Sequence, residues 1–209
     1  MTASEGTLPA TAKGRATRDR IIDAAAELIL THGVQGTTNP EVRAAAAVSG
    51  SQLSLYFPDK ESLVRAVLNR RGDQVIDVTQ RSAEGALDSI AALRSWAAFY
   101  AARPDSWRGG CRFGSLASDV LKSDLDLTPD VTAGFARWRT LFRDGLAAMQ
   151  ERGELRPDAH PDSLATILLA AFQGGMLLAQ AEGSITPLNT ALDGAIDYVE
   201  SFALEARPR

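Results

Sequence analysis

The chain is poor in the residues that build disulfides, metal sites and catalytic centres. It has one cysteine, Cys111, so an intramolecular disulfide and a cysteine-rich metal site are excluded. Its two histidines, His32 and His160, lie in different regions of the chain. The phosphate-binding glycine loops, the nucleophile-elbow signature and the zinc-binding His-Glu pattern of common enzymes do not occur. We therefore predict a protein that is not an enzyme, with no catalytic residues, no metal and no cofactor.

The sequence also has little that points to export or to a membrane. Residues 1–16 are small and polar, without the apolar run of a signal peptide. Residues 163–181 form a stretch of 19 uncharged residues, which approaches the length of a membrane span. Polar side chains and the pair Gly174-Gly175 interrupt this stretch, and no Lys or Arg flanks it. We interpret it as a helix that is buried inside the protein or in a dimer interface. We expect a cytoplasmic protein that contacts no membrane.

Positive charge is scarce and unevenly distributed. The sequence has 22 Lys and Arg residues against 26 Asp and Glu residues, and three of the basic residues are lysines. Residues 1–72 carry nine basic and seven acidic residues, a net charge of +2, whereas residues 73–209 carry 13 and 19, a net charge of −6. A basic first part on an acidic remainder indicates two functions in one chain and is compatible with a local DNA-binding face.

Helical signals dominate the sequence. Alanine fills 35 of the 209 positions, and the sequence shows no alternating strand pattern and no internal repeat. Apolar residues spaced three and four apart, with capping residues at the starts and glycines at the ends, predict an all-α protein of about nine helices. After an N-terminal arm at 1–16 that we expect to be disordered, the predicted helices span approximately 17–32, 38–46, 50–56, 60–79, 87–102, 111–122, 128–153, 161–183 and 186–204.

Two short helices joined by a tight turn follow the first helix. Thr38 and Glu41 have the spacing of a capping box, and Asn39 with Pro40 is an alternative start for the first of the two. The second presents polar residues around Leu53, as the recognition helix of a helix-turn-helix does in the major groove. A plain three-helix packing unit is the alternative, but it leaves these polar residues unexplained. The N-terminus of the next helix is a further expected phosphate site. The residues expected to contact DNA are Thr38, Ser49, Gly50, Ser51, Gln52, Ser54, Leu55, Tyr56 and Lys60.

A set of residues across these helices matches the pattern of a known family. The set consists of Ile21-Ile22-Asp23-Ala24-Ala25, Leu28, Gly33, Thr37-Thr38, Val42, Ala45, Val48-Ser49, Leu53, Tyr56-Phe57 and Lys60-Glu61-Ser62-Leu63. With this set, the sequence resembles the TetR family of bacterial transcriptional regulators. The resemblance implies a helix-turn-helix DNA-binding domain at 17–62 and a ligand-binding and dimerisation domain at 63–209. It also implies a homodimer that binds a palindromic double-stranded operator and releases it when a small molecule binds.

Three positions depart from the usual pattern of that family. Ala47 stands in the turn where glycine is usual, Gly50 where lysine or proline is common, and Ser54 where a phosphate-contacting tyrosine is frequent. From the resemblance we predict a ligand-responsive transcriptional repressor. The departures motivate the alternative, which is a small-molecule-binding dimer whose sequence-specific DNA binding is weak or lost.

Two residue sets in the second part of the chain are candidates for the implied ligand pocket and dimer interface. Aromatic side chains from several helices could line a cavity, and each of them is also suited to plain core packing. The candidate pocket residues are Trp96, Phe99, Tyr100, Trp107, Cys111, Phe113, Trp138, Phe142, Phe172 and Met176. Small residues on the eighth helix and aromatic residues on the ninth predict a four-helix dimer interface, or alternatively burial within one chain. The candidate interface residues are Ala171, Gly174, Gly175, Leu178, Ala179, Tyr198 and Phe202.

Cys111 is the most unusual single residue. It follows two glycines at the predicted start of the sixth helix, between Arg108 and Arg112. A helix N-terminus and neighbouring arginines favour a reactive thiolate. The segment Gly110-Cys111-Arg112-Phe113-Gly114-Ser115-Leu116 resembles a TetR subgroup, with a Gly-Cys segment at helix six, that includes an electrophile-responsive regulator. An electrophile sensor and a packed structural thiol are the two interpretations.

Overall fold

A computed structural model describes residues 9–83, 85–103 and 106–204 of the chain. These residues contain nine α-helices and one short 3-10 helix at Ser106–Gly109, so the predicted all-α class is confirmed. The α-helices are α1 (Ala12–Gly36), α2 (Asn39–Ala46), α3 (Gly50–Tyr56), α4 (Lys60–Ser82), α5 (Ile90–Ala101), α6 (Arg112–Val120), α7 (Thr128–Glu151), α8 (Pro161–Glu182) and α9 (Thr186–Glu200). The first residues of the predicted disordered arm, 1–8, lie outside the described part of the chain.

The first helix begins at Ala12 rather than at the predicted Thr17. The Thr11 hydroxyl caps it by accepting a hydrogen bond from the backbone N–H of Gly14 at 3.1 Å. This cap satisfies one of the free N–H groups of the first turn, so residues 12–16 are helical and not part of a disordered arm. The helix is interrupted at Gly33, where a positive φ of 73° favours glycine. The interruption agrees with the predicted end of the helix at this residue.

The chain divides into two compact units, and the division falls within α4 and within α7. Unit 1 comprises Met1–Asp73 and Arg112–Gly134, and unit 2 comprises Gln74–Cys111 and Phe135–Arg209. The division therefore lies later than the expected boundary between residues 62 and 63, and unit 1 also includes α6. Packing explains the difference, because the first half of α4 is buried and α6 lies against α1.

Unit 1 is built on one apolar face of α1. The buried residues of this face recur at helical spacing, as the sequence pattern predicts. They are Ile21, Ile22, Ala25, Ala26 and Ile29, and α4 contributes Leu63, Val64, Val67 and Leu68. Ion pairs add to this packing, since Arg70 of α4 pairs with Asp19 of α1 and donates to Asp23 at 3.0 Å.

Unit 2 has an aromatic core. The ring centroid of Trp96 lies 4.9 Å from that of Phe142 and 5.7 Å from that of Phe172. Trp138 joins the same cluster, with its ring centroid 5.3 Å from that of Phe172. The indole N–H of Trp138 donates to the hydroxyl of Thr79 at 3.0 Å, and both residues are 0% exposed. The core is therefore closely packed, and this buried N–H group has the partner that burial requires.

The uncharged stretch forms α8, which packs along α9. By length and composition α8 could cross a membrane. Eight of its residues are buried within unit 2, however. A β-carbon added to Gly175 would lie 3.0 Å from the Cα of Leu188 in α9, so the two backbones approach closely here. Gly183, with a positive φ of 66°, ends α8 where the sequence predicts. In this structure α8 is a core helix.

Candidate nucleic-acid interface

Two capping boxes fix the helices of the predicted helix-turn-helix. At α2, the Thr38 hydroxyl accepts from the Glu41 N–H, and the Glu41 carboxylate accepts from the Thr38 N–H at 2.9 Å. Hydrogen bonds from the Thr38 hydroxyl and N–H hold the pKa of Glu41 below its usual value. At α3, the Gln52 side-chain carbonyl accepts from the Ser49 N–H at 2.9 Å, and the Ser49 hydroxyl accepts from the Gln52 N–H at 3.1 Å. Thr38 is therefore the cap of α2, and both helices begin where the sequence indicates.

The turn between α2 and α3 places Ala47 in the left-handed conformation, with φ 50° and ψ 54°. It is the one non-glycine residue with positive φ in the described ranges. The Ala47 N–H donates to the carbonyl of Ala44 at 3.3 Å, and the Val48 N–H donates to that of Arg43 at 3.1 Å. The turn therefore closes α2 without the usual glycine, at a cost of about 1–2 kcal/mol in backbone strain.

Most of the residues predicted to contact DNA face solvent. Leu53 is 3% exposed and anchors α3, while Val42 and Ala46 anchor α2. Ala45, which belongs to the residue set that carries the resemblance, is exposed. Leu55 is 64% exposed although it is apolar. The exposed members of the predicted set are Thr38, Ser49, Ser51, Gln52, Ser54 and Leu55, and the half-buried members are Gly50, Tyr56 and Lys60.

Positive charge lies beside α3. The Lys60 ammonium donates to the backbone carbonyl of Gln35 at 3.3 Å. The exposed Arg43 guanidinium lies next to Gly50, since a β-carbon added at Gly50 would be 3.6 Å from the Arg43 Cζ. Sequence reasoning missed Arg43 because its proximity to the start of α3 depends on the geometry of the intervening turn. Its signal was a basic residue late in α2.

The N-terminus of α4 is not an open phosphate site, contrary to expectation. The Asp59 carboxylate accepts a hydrogen bond from the Ser62 N–H at 2.7 Å, and the Ser62 hydroxyl donates to the Asp59 carbonyl at 2.8 Å. A carboxylate thus occupies the position where a phosphate would bind, and it would repel one. Lys60 is the cationic group that remains at this helix end.

Comparison with known proteins identifies the group to which these units belong. Residues 21–67 match the model of bacterial regulatory proteins of the tetR family. Residues 86–195, just over half of the chain, match the model of the tetracyclin repressor-like C-terminal domain. The chain belongs to the TetR family. TetR-family proteins are transcription regulators and not enzymes, so the predicted regulator and the predicted lack of enzymatic function are both confirmed.

Individual TetR-family relatives span most of the chain. The transcriptional repressor DhaR of Mycobacterium sp. strain GP1 is 25% identical over 178 residues, which cover 84% of this chain and 88% of the relative. The transcriptional repressor ComR of Escherichia coli strain K12 is 25% identical over 179 residues, covering 82% and 83%. A TetR transcriptional regulator from Chloroflexus aurantiacus J-10-FL has a similar crystal structure, with a TM-score of 0.77, 27% identity and coverage of 92% and 98%.

The predicted pocket residues lie mostly in the packed core of unit 2. The rings of Trp96, Tyr100, Trp138, Phe142 and Phe172 contact one another, and Met176 is also buried. Burial raises the pKa of Tyr100. Phe99 and Trp107 are half-buried. Phe113 belongs to unit 1, where its ring lies beside Gly72 and Gly134. In this structure, most of the set therefore serves as core.

Cys111 is a half-buried free thiol that directly precedes α6. The Gln173 side-chain amide donates to its Sγ at 3.4 Å. Arg112 donates to the Glu27 carboxylate at 3.2 Å, and the Arg108 guanidinium lies 5.4 Å from the ring centroid of the preceding tryptophan. Each neighbouring guanidinium thus contacts another group, and neither contact supports the predicted activation of the Cys111 thiolate by these arginines. Electrophile sensing and the Gly-Cys subgroup both stay predictions.

The predicted dimer residues divide between the inside and the outside of α8. Gly175 packs against α9 of the same chain, and Ala179 is 0% exposed. The prediction that these two face a partner is therefore wrong, because the chain itself covers them. Gly174 has open space around its Cα, and Leu178 is 54% exposed.

The outer face of α8 and α9 carries further apolar side chains. Tyr198 is 47% exposed, and its ring centroid lies 5.3 Å from that of the half-buried Phe202. Leu177 is 66% exposed and Ile167 37% exposed, and neither is in the predicted set. Ala171 is half-buried on the same helix. The helical spacing of apolar residues in the uncharged stretch could have identified Leu177 and Ile167 as members of this outer face.

Proposed function

We propose that this TetR-family protein is a cytoplasmic, ligand-responsive repressor that binds a palindromic operator as a homodimer and leaves it when a small molecule binds. The observation that carries the proposal is the solvent-facing first turn of α3, which its capping box holds beside Arg43. The two curated relatives named above are transcriptional repressors, which supports repression as the outcome of operator binding.

The side chains of α3 suit direct readout of a major groove. A glutamine amide such as that of Gln52 can pair with the edge of adenine, and an exposed apolar group such as Leu55 can contact the thymine methyl. The hydroxyls of Ser49 and Ser51, 2.9 Å apart, can bond phosphate or base edges. The cationic side chains of Arg43 and Lys60 can bind DNA phosphates, and this contribution to the affinity decreases as the salt concentration rises.

The first test measures binding to the DNA upstream of the protein's own gene. Gln52→Ala should weaken binding by about 1–3 kcal/mol at one base pair and relax the preference there. Lys60→Ala should weaken binding to all DNA sequences alike. It should also reduce the slope of the logarithm of the binding constant against the logarithm of the salt concentration by about one. Because Gln52 also caps α3, Gln52→Glu is the matched control for folding, since glutamate keeps the capping acceptor but cannot donate to adenine.

Three outcomes of this test are decisive. Loss of the preference for operator over scrambled DNA by a stably folded Gln52→Glu variant supports the contact, because the added negative charge weakens binding to both DNAs alike. Gln80→Ala, at an exposed glutamine in unit 2, should bind as the parent does. Unchanged operator binding in the Gln52→Ala, Lys60→Ala double variant contradicts the assignment. Equal affinity of the parent protein for operator and scrambled DNA favours the alternative, a small-molecule-binding dimer with weak or lost sequence-specific DNA binding.

The dimer proposal depends on the outer face of α8. Exposed apolar residues follow one another here at helical spacing, and exposed apolar patches of this kind mark interaction surfaces. Gly174 sits within this face and presents no side chain, so a second helix can approach closely. The pairing of α8 and α9 from two chains gives a four-helix interface across a two-fold axis.

A charge at Gly174 tests this interface. Gly174→Glu meets no atom within the chain, so the protomer should fold, but a dimer would bury an unpaired carboxylate at a cost of several kcal/mol. Sedimentation should then detect a monomer. Ala98→Glu, at an exposed position of α5, is the control and should leave the assembly unchanged. A folded Gly174→Glu variant that remains dimeric would show that the interface lies elsewhere.

A further inference from the structure

Unit 1 contains a cleft that none of the predicted DNA-contacting or ligand-pocket residues lines. The cleft lies between α1, α4 and α6 and has a volume of about 170 Å³. Its walls are largely apolar, with Ile29 and Leu30 from α1, Val67 from α4 and Leu116 from α6. Two arginines, Arg71 and Arg112, also line it. The combination of an apolar wall and a few convergent polar groups is typical of small-molecule sites.

The two arginines converge on one carboxylate oxygen. Arg71 is 9% exposed, and its guanidinium donates to the Glu27 Oε1 at 2.8 Å. Arg112 donates to the same oxygen at 3.2 Å. The hydrogen bond from Arg71 holds the pKa of Glu27 below its usual value, so Glu27 is ionised at neutral pH. Two guanidinium groups are thus already arranged around a carboxylate, an anion that they bind with strong, charge-assisted hydrogen bonds.

The charges of the cleft are separated along its length. Arg112 of α6 lies beside Glu27 of α1, whereas Asp119 lies beside Gly33 and accepts a hydrogen bond from the Val34 N–H. At a rise of 1.5 Å per residue, the seven residues from Arg112 to Asp119 span about 10 Å. The arginine end therefore lies about two helical turns from the acidic end, and the apolar residues lie between them.

We propose that this cleft binds a small monocarboxylic acid with an apolar body. The carboxylate would displace the exposed Glu27 side chain, which would otherwise repel it, and would bind Arg71 and Arg112. The apolar body would lie along Leu30 and Leu116. A cleft of about 170 Å³ is smaller than the sites of drug-sized ligands, which begin at about 300 Å³, so a short-chain acid is the class of ligand that it can hold.

An acid in this cleft would lie close to the start of the helix-turn-helix. Gly33 and Asp119 both line the cleft, and the Asp119 carboxylate holds the backbone N–H that follows the Gly33 interruption. Residue 34 is four positions from Thr38, the cap of α2. A ligand in the cleft would thus contact residues of the DNA-binding unit itself, close to the start of α2.

Calorimetric titration of the full chain with hexanoate tests the proposal. Hexan-1-ol and hexylamine are matched probes with the same carbon chain and no carboxylate. Hexanoate should bind, and the other two should bind at least tenfold more weakly. Arg112→Gln should weaken hexanoate binding about tenfold, Arg112→Lys should weaken it less, and Ser115→Phe should abolish binding by filling the cleft. Arg139→Gln, an exposed arginine of unit 2, should bind as the parent does.

Thermal melts of each variant separate loss of the site from loss of the fold. If Arg112→Gln does not fold, Ser115→Phe and Arg112→Lys decide the question, because residue 115 is exposed at the rim. No heat of binding with the parent protein at millimolar hexanoate overturns the proposal. Equal affinity for hexan-1-ol also overturns it, as does unchanged hexanoate binding by folded Arg112→Gln and Ser115→Phe variants.

Discussion

Replacing Ala47 with glycine should stabilise the DNA-binding unit, although glycine destabilises most helical segments. Ala47 has φ 50° and ψ 54°, where an alanine side chain is strained by about 1–2 kcal/mol. Glycine adopts this conformation without strain but makes the unfolded chain more flexible, at a cost of about 0.5–1 kcal/mol. The expected net effect is a stabilisation of about 0.5 kcal/mol.

Ala44→Gly is the matched control. Ala44 is also exposed and loses the same methyl group, but it lies inside α2, where glycine costs about 1 kcal/mol relative to alanine. Both variants change the unfolded chain alike, so their difference of about 1.5 kcal/mol measures the strain at Ala47. Urea unfolding followed by far-ultraviolet circular dichroism gives this difference. If Ala47→Gly destabilises the protein as much as Ala44→Gly does, the strain argument is wrong.

Two further substitutions have consequences that follow from single contacts. Thr79→Val leaves the buried indole N–H of Trp138 without its acceptor and should reduce the free energy of unfolding by about 1–3 kcal/mol. Thr79→Ser is the control, because serine keeps the hydroxyl that accepts this bond. Equal stability of the two variants in urea would contradict the prediction. The pKa of Glu27 is lowered from 4.5 by its bond to Arg71, so its contribution to stability is complete above pH 4.5 and disappears as the pH falls through the lowered value. The urea midpoint of the parent protein should therefore fall between pH 7 and pH 3 by more than that of the Glu27→Gln variant does. An equal fall in the two proteins would show that the pair contributes nothing to the pH dependence of stability.

Local signals in the sequence were sufficient for most helices. Thr38 and Glu41 mark the start of α2, and Ser49 marks that of α3, because a capping box involves residues only three apart. Gly183 ends α8 for an equally local reason, since its positive φ needs only the backbone freedom of glycine. The exposed face of α3 could also be predicted, because Leu53 identifies the buried side of a short helix.

Contacts between distant segments could not be predicted from one sequence. Gly174 and Gly175 are neighbours with identical chemistry, and only the position of α9 shows that one is covered and the other open. The inclusion of α6 in unit 1 follows from its packing against α1, which is far from it in the chain. Arg43 was missed for a related reason, because its place beside α3 depends on the strained turn at Ala47.

The placement of the tryptophans gives the two units different optical properties. All three tryptophans, Trp96, Trp107 and Trp138, belong to unit 2, so unit 1 has no indole fluorescence of its own. Circular dichroism, in contrast, reports the helices of both units. A melt followed by tryptophan emission therefore tracks the aromatic core alone, and any offset from the dichroism melt measures how independently the DNA-binding unit unfolds.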